Sequence, residues 1–317
     1  MDQLTQISTD RSRTIFTEDW WFDAVCPGAW ERHELRRDGA LFASFSFQFY
    51  KKMGFRYVAM PNLTRTLEPM VMPGARKPVS RLQSSTALLK ELIAGMPRHD
   101  RLEICLPPDS ELALPFGLLG YRNTATFTFR HEGEPLDEVW KGMDQKTRNI
   151  ISTSRKRLSV ERHHDLDRYV RLSRGSSKSG GADKTDYDGL RRAFDACLLR
   201  DQATILTAVD DQRRDVASVI LIWDRQELYY WMSARDRTLS GNAANSLLVW
   251  QALEFASAIG CRFDLDGFIT PQSGVFLSKF GLKAAVRTYI SNVNPLWSTL
   301  SGMRGIFRPA PQEVSYR

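Results

Sequence analysis

The chain uses one order of elements twice, and that repetition limits the folds open to it more than any single motif. Residues 33–60, HELRRDGALFASFSFQFYKKMGFRYVAM, alternate apolar and polar positions around turn signals at Asp38-Gly39 and Lys52-Met53-Gly54, which predicts a strand meander. A helix is expected over 84–95, then a strand at 101–107, a short apolar segment ALPFGLLGYR and a strand TATFTFR. The second half repeats the order. Residues 204–234 read as three strands with polar turns at 210–215 and 224–227. A helix at 242–259 follows, then a strand CRFDLDGF at 261–268, the segment GVFLSKFGL and a strand AAVRTYI. Phe116-Gly117-Leu118 and Phe280-Gly281-Leu282 register the two copies, and Pro115 then falls opposite Lys279. That lysine, a residue type that normally stays in water, stands in an otherwise apolar, glycine-bounded stretch of the second copy alone.

The repeat predicts an α/β chain (α+β, mixed sheet) in two units, 1–135 and 136–295, with 296–317 as a tail. A length of 317 residues fits two domains of about 150 each. The join falls near HEGEPLD (131–137), after which one helix is expected, with Trp140, Met143, Thr147, Ile150, Ile151, Ser154 and Leu158 on a stripe. Its other face carries Lys146, Arg148, Arg155 and Lys156. RGSSKSGGADK (174–184) reads as a Gly/Ser-rich loop.

Net charge is +7, and it is concentrated. From Lys141 to Lys178 there are eleven Lys and Arg against four acids, an excess equal to that of the whole chain. Such a segment suits a polyanionic partner: cofactor phosphates, a nucleotide-linked substrate or RNA, with no DNA partner expected. A solvated helix face produces the same pattern. No apolar run approaches the ~18 residues of a membrane span, and MDQLTQISTDRSR has no secretory-type apolar core. Cys26, Cys105, Cys197 and Cys261 are widely spaced, as buried thiols in a reducing, cytoplasmic setting would be. No phosphate-binding P-loop, G-x-S-x-G elbow or HExxH is present, so neither a metal nor a serine nucleophile is expected. His163-His164 has no acid or cysteine at ligand spacing and reads as surface.

Four stretches resemble one known family. They are W-x-x-x-x-x-K-x-R-x-x-I from Trp140 to Ile151, GNAANSLLVWQALEFASAIGCRFDLDGF (241–268), FLSKFG (276–281) and MPNLTRTLEPM (60–70). Their order is similar to the FemAB-like and related tandem acyltransferases of the GCN5-related N-acetyltransferase (GNAT) superfamily. The resemblance implies two tandem GNAT-like domains joined by a basic helix, the first degenerate and the second catalytic. It implies transfer of an acyl or aminoacyl group to an amine, from acyl-CoA or aminoacyl-tRNA, with a small molecule or a cell-envelope precursor as acceptor. Family members that use acetyl-CoA hold its pyrophosphate at a helix N-terminus with a Q/R-x-x-G-x-G/A turn. Here, counting from Arg237, the glycine comes one residue late, at Gly241.

The same resemblance makes Lys279, three residues after Phe276, the group that stabilises negative charge on the carbonyl oxygen, and that chemistry requires a fixed cation or donor. Partial desolvation by Phe276, Phe280 and Leu282 would strengthen it. Asp264 and Asp266 alternate along CRFDLDGF, which puts both carboxylates on one face as a candidate base or orienting pair. Tyr230 and Arg235 on the third meander strand, and Arg237, Gly241, Asn242 and Asn245 at the following turn, are candidate donor-binding residues. Lys146 and Arg148 are candidates for substrate or tRNA phosphates. A non-catalytic module binding RNA or phosphate through residues 141–178 is the alternative.

Overall fold

Asp38 and Gly39, with φ of 49° and 79°, reverse the chain between β1 (Trp30–Arg37) and β2 (Ala40–Lys52) in a computed structural model. Met53 and Gly54, at 54° and 85°, do the same between β2 and β3 (Phe55–Ala59), so both turn signals fall where the sequence puts them. The structure describes residues 14–74, 77–176, 185–236, 238–239, 241–267 and 270–293. A 3-10 turn (Ile15–Thr17) and α1 (Asp19–Val25) precede β1, and after β3 the chain continues with β4 (Met70–Val71), α2 (Pro78–Gly95), β5 (Arg101–Leu106), α3 (Ala113–Leu118) and β6 (Arg122–His131). There follow α4 (Leu136–Gly142), α5 (Gln145–Ser154), β7 (Ser159–His163), α6 (Leu166–Ser176) and α7 (Tyr187–Leu198). The second meander is β8 (Ala203–Val209), β9 (Asp215–Trp223) and β10 (Glu227–Arg235). Then come α8 (Gly241–Ala258), β11 (Arg262–Asp264), α9 (Pro271–Leu277), a 3-10 turn (Ser278–Phe280) and β12 (Lys283–Val293).

Two compact units result, one of residues up to Thr126 with the chain from Val286, the other of Phe127–Ala285. The first contains strands in the order β1-β2-β3-β5-β12, antiparallel except for β3 with β5. α2 begins at Pro78, six residues before the expected start, because proline's fixed φ and missing N–H suit a first helical position. Its Leu88, Leu89 and Leu92 are buried. The second unit runs β6-β11-β10-β9-β8-β7, antiparallel except for β10 with β11. Val219 and Leu221 on β9 and Leu228 on β10 pack against Leu247, Leu248 and Ala252 of α8.

Meander, helix, parallel strand, short helix and final strand therefore occur twice, as read from the sequence. The final strands do not stay at home. β12 pairs with β5 of the first unit, while the C-terminal part of β6 pairs with β11 of the second. Residues 127–135 thus belong to the second unit and Val286–Val293 to the first. The expected tail lies outside the described residues.

One expected helix is two. Asp144 interrupts the stripe, accepting from the backbone N–H of Thr147 (2.9 Å) and its hydroxyl (3.0 Å) as the N-cap of α5. All four cysteines are free and buried. Among the described residues no helix is long and apolar enough to cross a membrane.

Candidate functional site

The parallel ladder between β10 and β11 is short. It pairs Glu227 with Arg262, Leu228 with Phe263 and Tyr229 with Asp264, after which β10 runs on to Arg235. On its other side β10 bulges: Tyr230 stands opposite Leu221 and Met232 opposite Ile220, leaving Trp231 as the extra residue. Tyr230 is buried edge-on to Phe263, ring centroids 6.3 Å apart. Its hydroxyl is buried and meets no hydrogen-bond partner among the described residues. Burial, with Tyr169 nearby, pushes its ionisation above the ordinary tyrosine value, so it stays a neutral O–H. On α8, Oδ1 of Asn245 is likewise buried and without a partner. Thr66 Oγ1 and His131 Nδ1 share this condition; such buried polar atoms are uncommon and are completed by water or by a ligand.

The first unit has the same topology with a different filling. Its parallel ladder pairs Tyr57, Val58 and Ala59 with Arg101, Leu102 and Glu103. The chain then keeps to β5: Met60 N–H donates to the Glu103 carbonyl at 3.2 Å and Leu67 N–H to the Cys105 carbonyl at 2.7 Å. Thr64, Arg65 and Thr66 of MPNLTRTLEPM are buried in that segment, and Trp21 donates its indole N–H to Thr64 at 2.8 Å.

Asp264 and Asp266 do not share a strand face. β11 ends at Asp264, and Asp266 and Gly267 take left-handed φ of 64° and 75°. Asp264 is 1% exposed, accepting from the Thr128 hydroxyl and from the Asp266 N–H at 2.6 Å. Asp266 is half-buried. Behind them lies a cluster that the sequence did not announce. Arg130, 2% exposed, donates from Nε and Nη2 to both carboxylate oxygens of Glu227 at 2.8 and 2.9 Å, and its Nε stands 4.0 Å from Asp264. Glu132 and Arg262 close the rim. Burial and the Asp264 charge push the Glu227 carboxyl up to about 7 against the opposing pull of Arg130. Burial works against the Arg130 charge, and Glu227, Asp264 and Glu132 outweigh it. The available signal was a charged residue at an inward position of an alternating strand, TFTFRH.

Lys279 sits in the 3-10 turn after α9. Phe280 and Leu282 are buried and Phe276 half-buried against Phe280, but Lys279 itself is exposed, so the expected desolvation is absent. Its carbonyl accepts from the Asp144 N–H at 3.0 Å, which ties the turn to the α4–α5 junction.

Much of the basic segment is already occupied. Arg148 donates to the carbonyls of Trp140 (3.2 Å) and Lys141 (2.8 Å), and Lys141 pairs with Asp137 at 2.8 Å. Arg155 pairs with Glu254 at 2.6 Å, and Arg168 with Asp215 and Glu161 at 2.6 and 2.7 Å. Lys146 is exposed. Arg235 is half-buried, Gly241 opens α8, and Arg237 and the Asn242 side chain lie outside the described residues. Of His163-His164, His164 is exposed as expected, while His163 is half-buried and bonds Thr207 at 2.8 Å, which bonds Ser218 at 2.8 Å inside the unit.

Residues 145–267, from α5 through the Asp266–Gly267 turn, match the family described as Acetyltransferase (GNAT) domain. No curated protein matches the sequence. Among solved structures, FemX is similar over 96% of this chain and 98% of its own, at 13% identity and a TM-score of 0.69. L-PGS from Bacillus licheniformis matches over 98% of both chains at 11% identity and 0.57. A tandem GNAT protein from the clavulanic acid biosynthesis pathway matches over 86% of both at 12% and 0.51. The chain therefore has the fold of the tandem GNAT acyltransferases, and its second unit carries the segment that matches the GNAT acetyltransferase domain.

Proposed function

We propose that this protein is an N-acyltransferase that moves an acyl or aminoacyl group from an activated donor to a substrate amine by direct attack. The observation that carries the reading is the buried, unpartnered Tyr230 hydroxyl beside the end of the β10–β11 ladder, within the segment that matches the GNAT domain. An acyl-CoA fits these residues: Tyr230 and Asn245 would hold the amide groups of its arm. When bound, it supplies an activated carbonyl carbon. An aminoacyl-tRNA supplies the same carbon as an ester, and the resemblance of residues 140–151, 241–268 and 276–281 to FemAB-like enzymes supports that donor equally. Lys279, exposed on a turn tied to Asp144, stabilises the charge on the carbonyl oxygen. Asp264 is too buried to receive a substrate proton and instead holds the turn that presents Asp266, which orients the amine. A cytoplasmic location and an envelope-precursor or small-molecule amine go with this reading. The binding-module alternative loses support, because Arg148, Arg155 and Arg168 are engaged within the second unit.

The test is thermal unfolding with coenzyme A, acetyl-CoA or a charged tRNA. A donor at ~100 times its Kd adds about 2.7 kcal/mol, a shift of several degrees for units of this size. A shift with one donor, followed by mass-spectrometric detection of an acylated amine, supports the reading. Tight, steeply salt-dependent RNA binding without any acyl transfer would overturn it.

A further inference from the structure

Strand register places five polar side chains on one face of three neighbouring strands. Arg130 stands opposite Asp264, and Glu227 beside Arg262. Thr128 lies two residues from Arg130 on β6, and Glu132, just past the end of that strand, pairs with Arg130 at 3.2 Å. Within this face the bonds run in one direction, towards the end of β11. Glu227 holds one edge of the Arg130 guanidinium through Nε and Nη2, Glu132 pairs with Nη1, and Nε faces Asp264. Oδ1 of Asp264 receives the Thr128 hydroxyl and the Asp266 N–H, and Thr128 Oγ1 receives the Gly267 N–H at 2.9 Å. Both amides of the turn are thus tied to one buried carboxylate, directly or through one hydroxyl.

That arrangement has two energetic requirements. Asp266 is an L-residue in left-handed backbone, a conformation that persists only when its surroundings hold it. Asp264 is buried, and buried oxygens need donors and a positive partner facing them. Arg130 meets the second requirement and, through Asp264, the first.

We propose that Arg130, locked by Glu227, is a positioning residue for the 264–267 turn, sustaining the Asp264 carboxylate that fixes the turn at the end of the β10–β11 ladder. Nothing in that arrangement depends on what the site binds. The inference therefore stands apart from the identity of the donor.

The experiment is amide hydrogen exchange at Asp266 and Gly267 in the full chain, with melting temperature measured alongside. Arg130→Met and Glu227→Gln are expected to speed exchange at these two amides by about tenfold or more, while amides of β8 and β9 keep their protection. Arg130→Lys is expected not to rescue, since one ammonium cannot reproduce a two-pronged contact. The deciding variant is Arg130→Met with Glu227→Leu. An apolar pair replaces the buried ion pair, so Glu227 is not left buried without its partner, yet the turn still exchanges fast because Asp264 has lost Arg130. Wild-type exchange at the turn in this double variant would overturn the proposal and leave the cluster a purely structural brace. Should Arg130→Met or the double variant fail to fold, Glu227→Gln decides: unchanged exchange at both amides has the same overturning force.

Discussion

The backbone N–H of Asp144 donates to the carbonyl of Lys279 at 3.0 Å, joining the start of α5 to the turn that carries the exposed lysine. Two residues on, Gly281 has a φ of +69°, and a Cβ there would stand 3.0 Å from the Gly142 carbonyl carbon and 3.1 Å from the Met143 nitrogen. The lysine's address is therefore set by a glycine whose replacement is costly. Gly281→Ala combines left-handed strain of roughly 1–2 kcal/mol with a backbone collision. Its melting temperature should fall by several degrees, and Asp144→Ala should lower it less. Calorimetry of the two variants checks the order.

Lys279→Met removes an exposed charge, so stability should stay within about 0.5 kcal/mol of wild type. Transfer should fall roughly 100- to 1,000-fold while donor affinity is kept, as expected when a group acts only on charge that develops in the transition state. Equal loss of binding and turnover would assign the lysine to donor binding instead.

Tyr230→Phe separates function from stability. The hydroxyl is buried without a partner, so deleting it should leave the melting temperature unchanged or raise it, by up to about 1 kcal/mol of stability. Donor affinity should drop in the same variant. A stabilised protein with weakened binding would be the signature of a group held in readiness for a ligand.

Glu227 and Glu68 each have a carboxyl that burial pushes up to about 7 from an ordinary 4.5. The folded state then binds more protons than the unfolded chain between these values, so stability is greatest below about 4.5 as far as these groups are concerned and falls as pH rises through 7. Urea titrations from pH 5 to 8 should show declining midpoints in the wild type. Glu227→Gln and Glu68→Gln should each flatten part of the slope.

The meanders were legible because their information is local: alternating side chains and Gly turns with positive φ. Where two local signals competed, the louder one misled. CRFDLDGF alternates like a strand, but its Asp266-Gly267 pair is also a turn signal, and the turn wins one residue after the ladder ends. The stripe from Trp140 to Leu158 hid the Asp144 cap, which lies three residues before Thr147 and breaks the helix despite the stripe. Arg130 and Glu227 were out of reach for another reason. They are 97 residues apart and meet across an intervening strand, a pairing that no window on one sequence contains. The Trp231 bulge depends in the same way on register against β9.

The placement of β12 beside β5, and of β6 beside β11, has a genetic consequence. Each half of the gene encodes a strand that the other half's product requires. Separating the halves at the internal join would yield two polypeptides, each lacking a strand of its sheet and each carrying a surplus one. Neither half could be deleted without loss to the other, because the first is the source of the strand against which β11 is laid and the second of the strand beside β5.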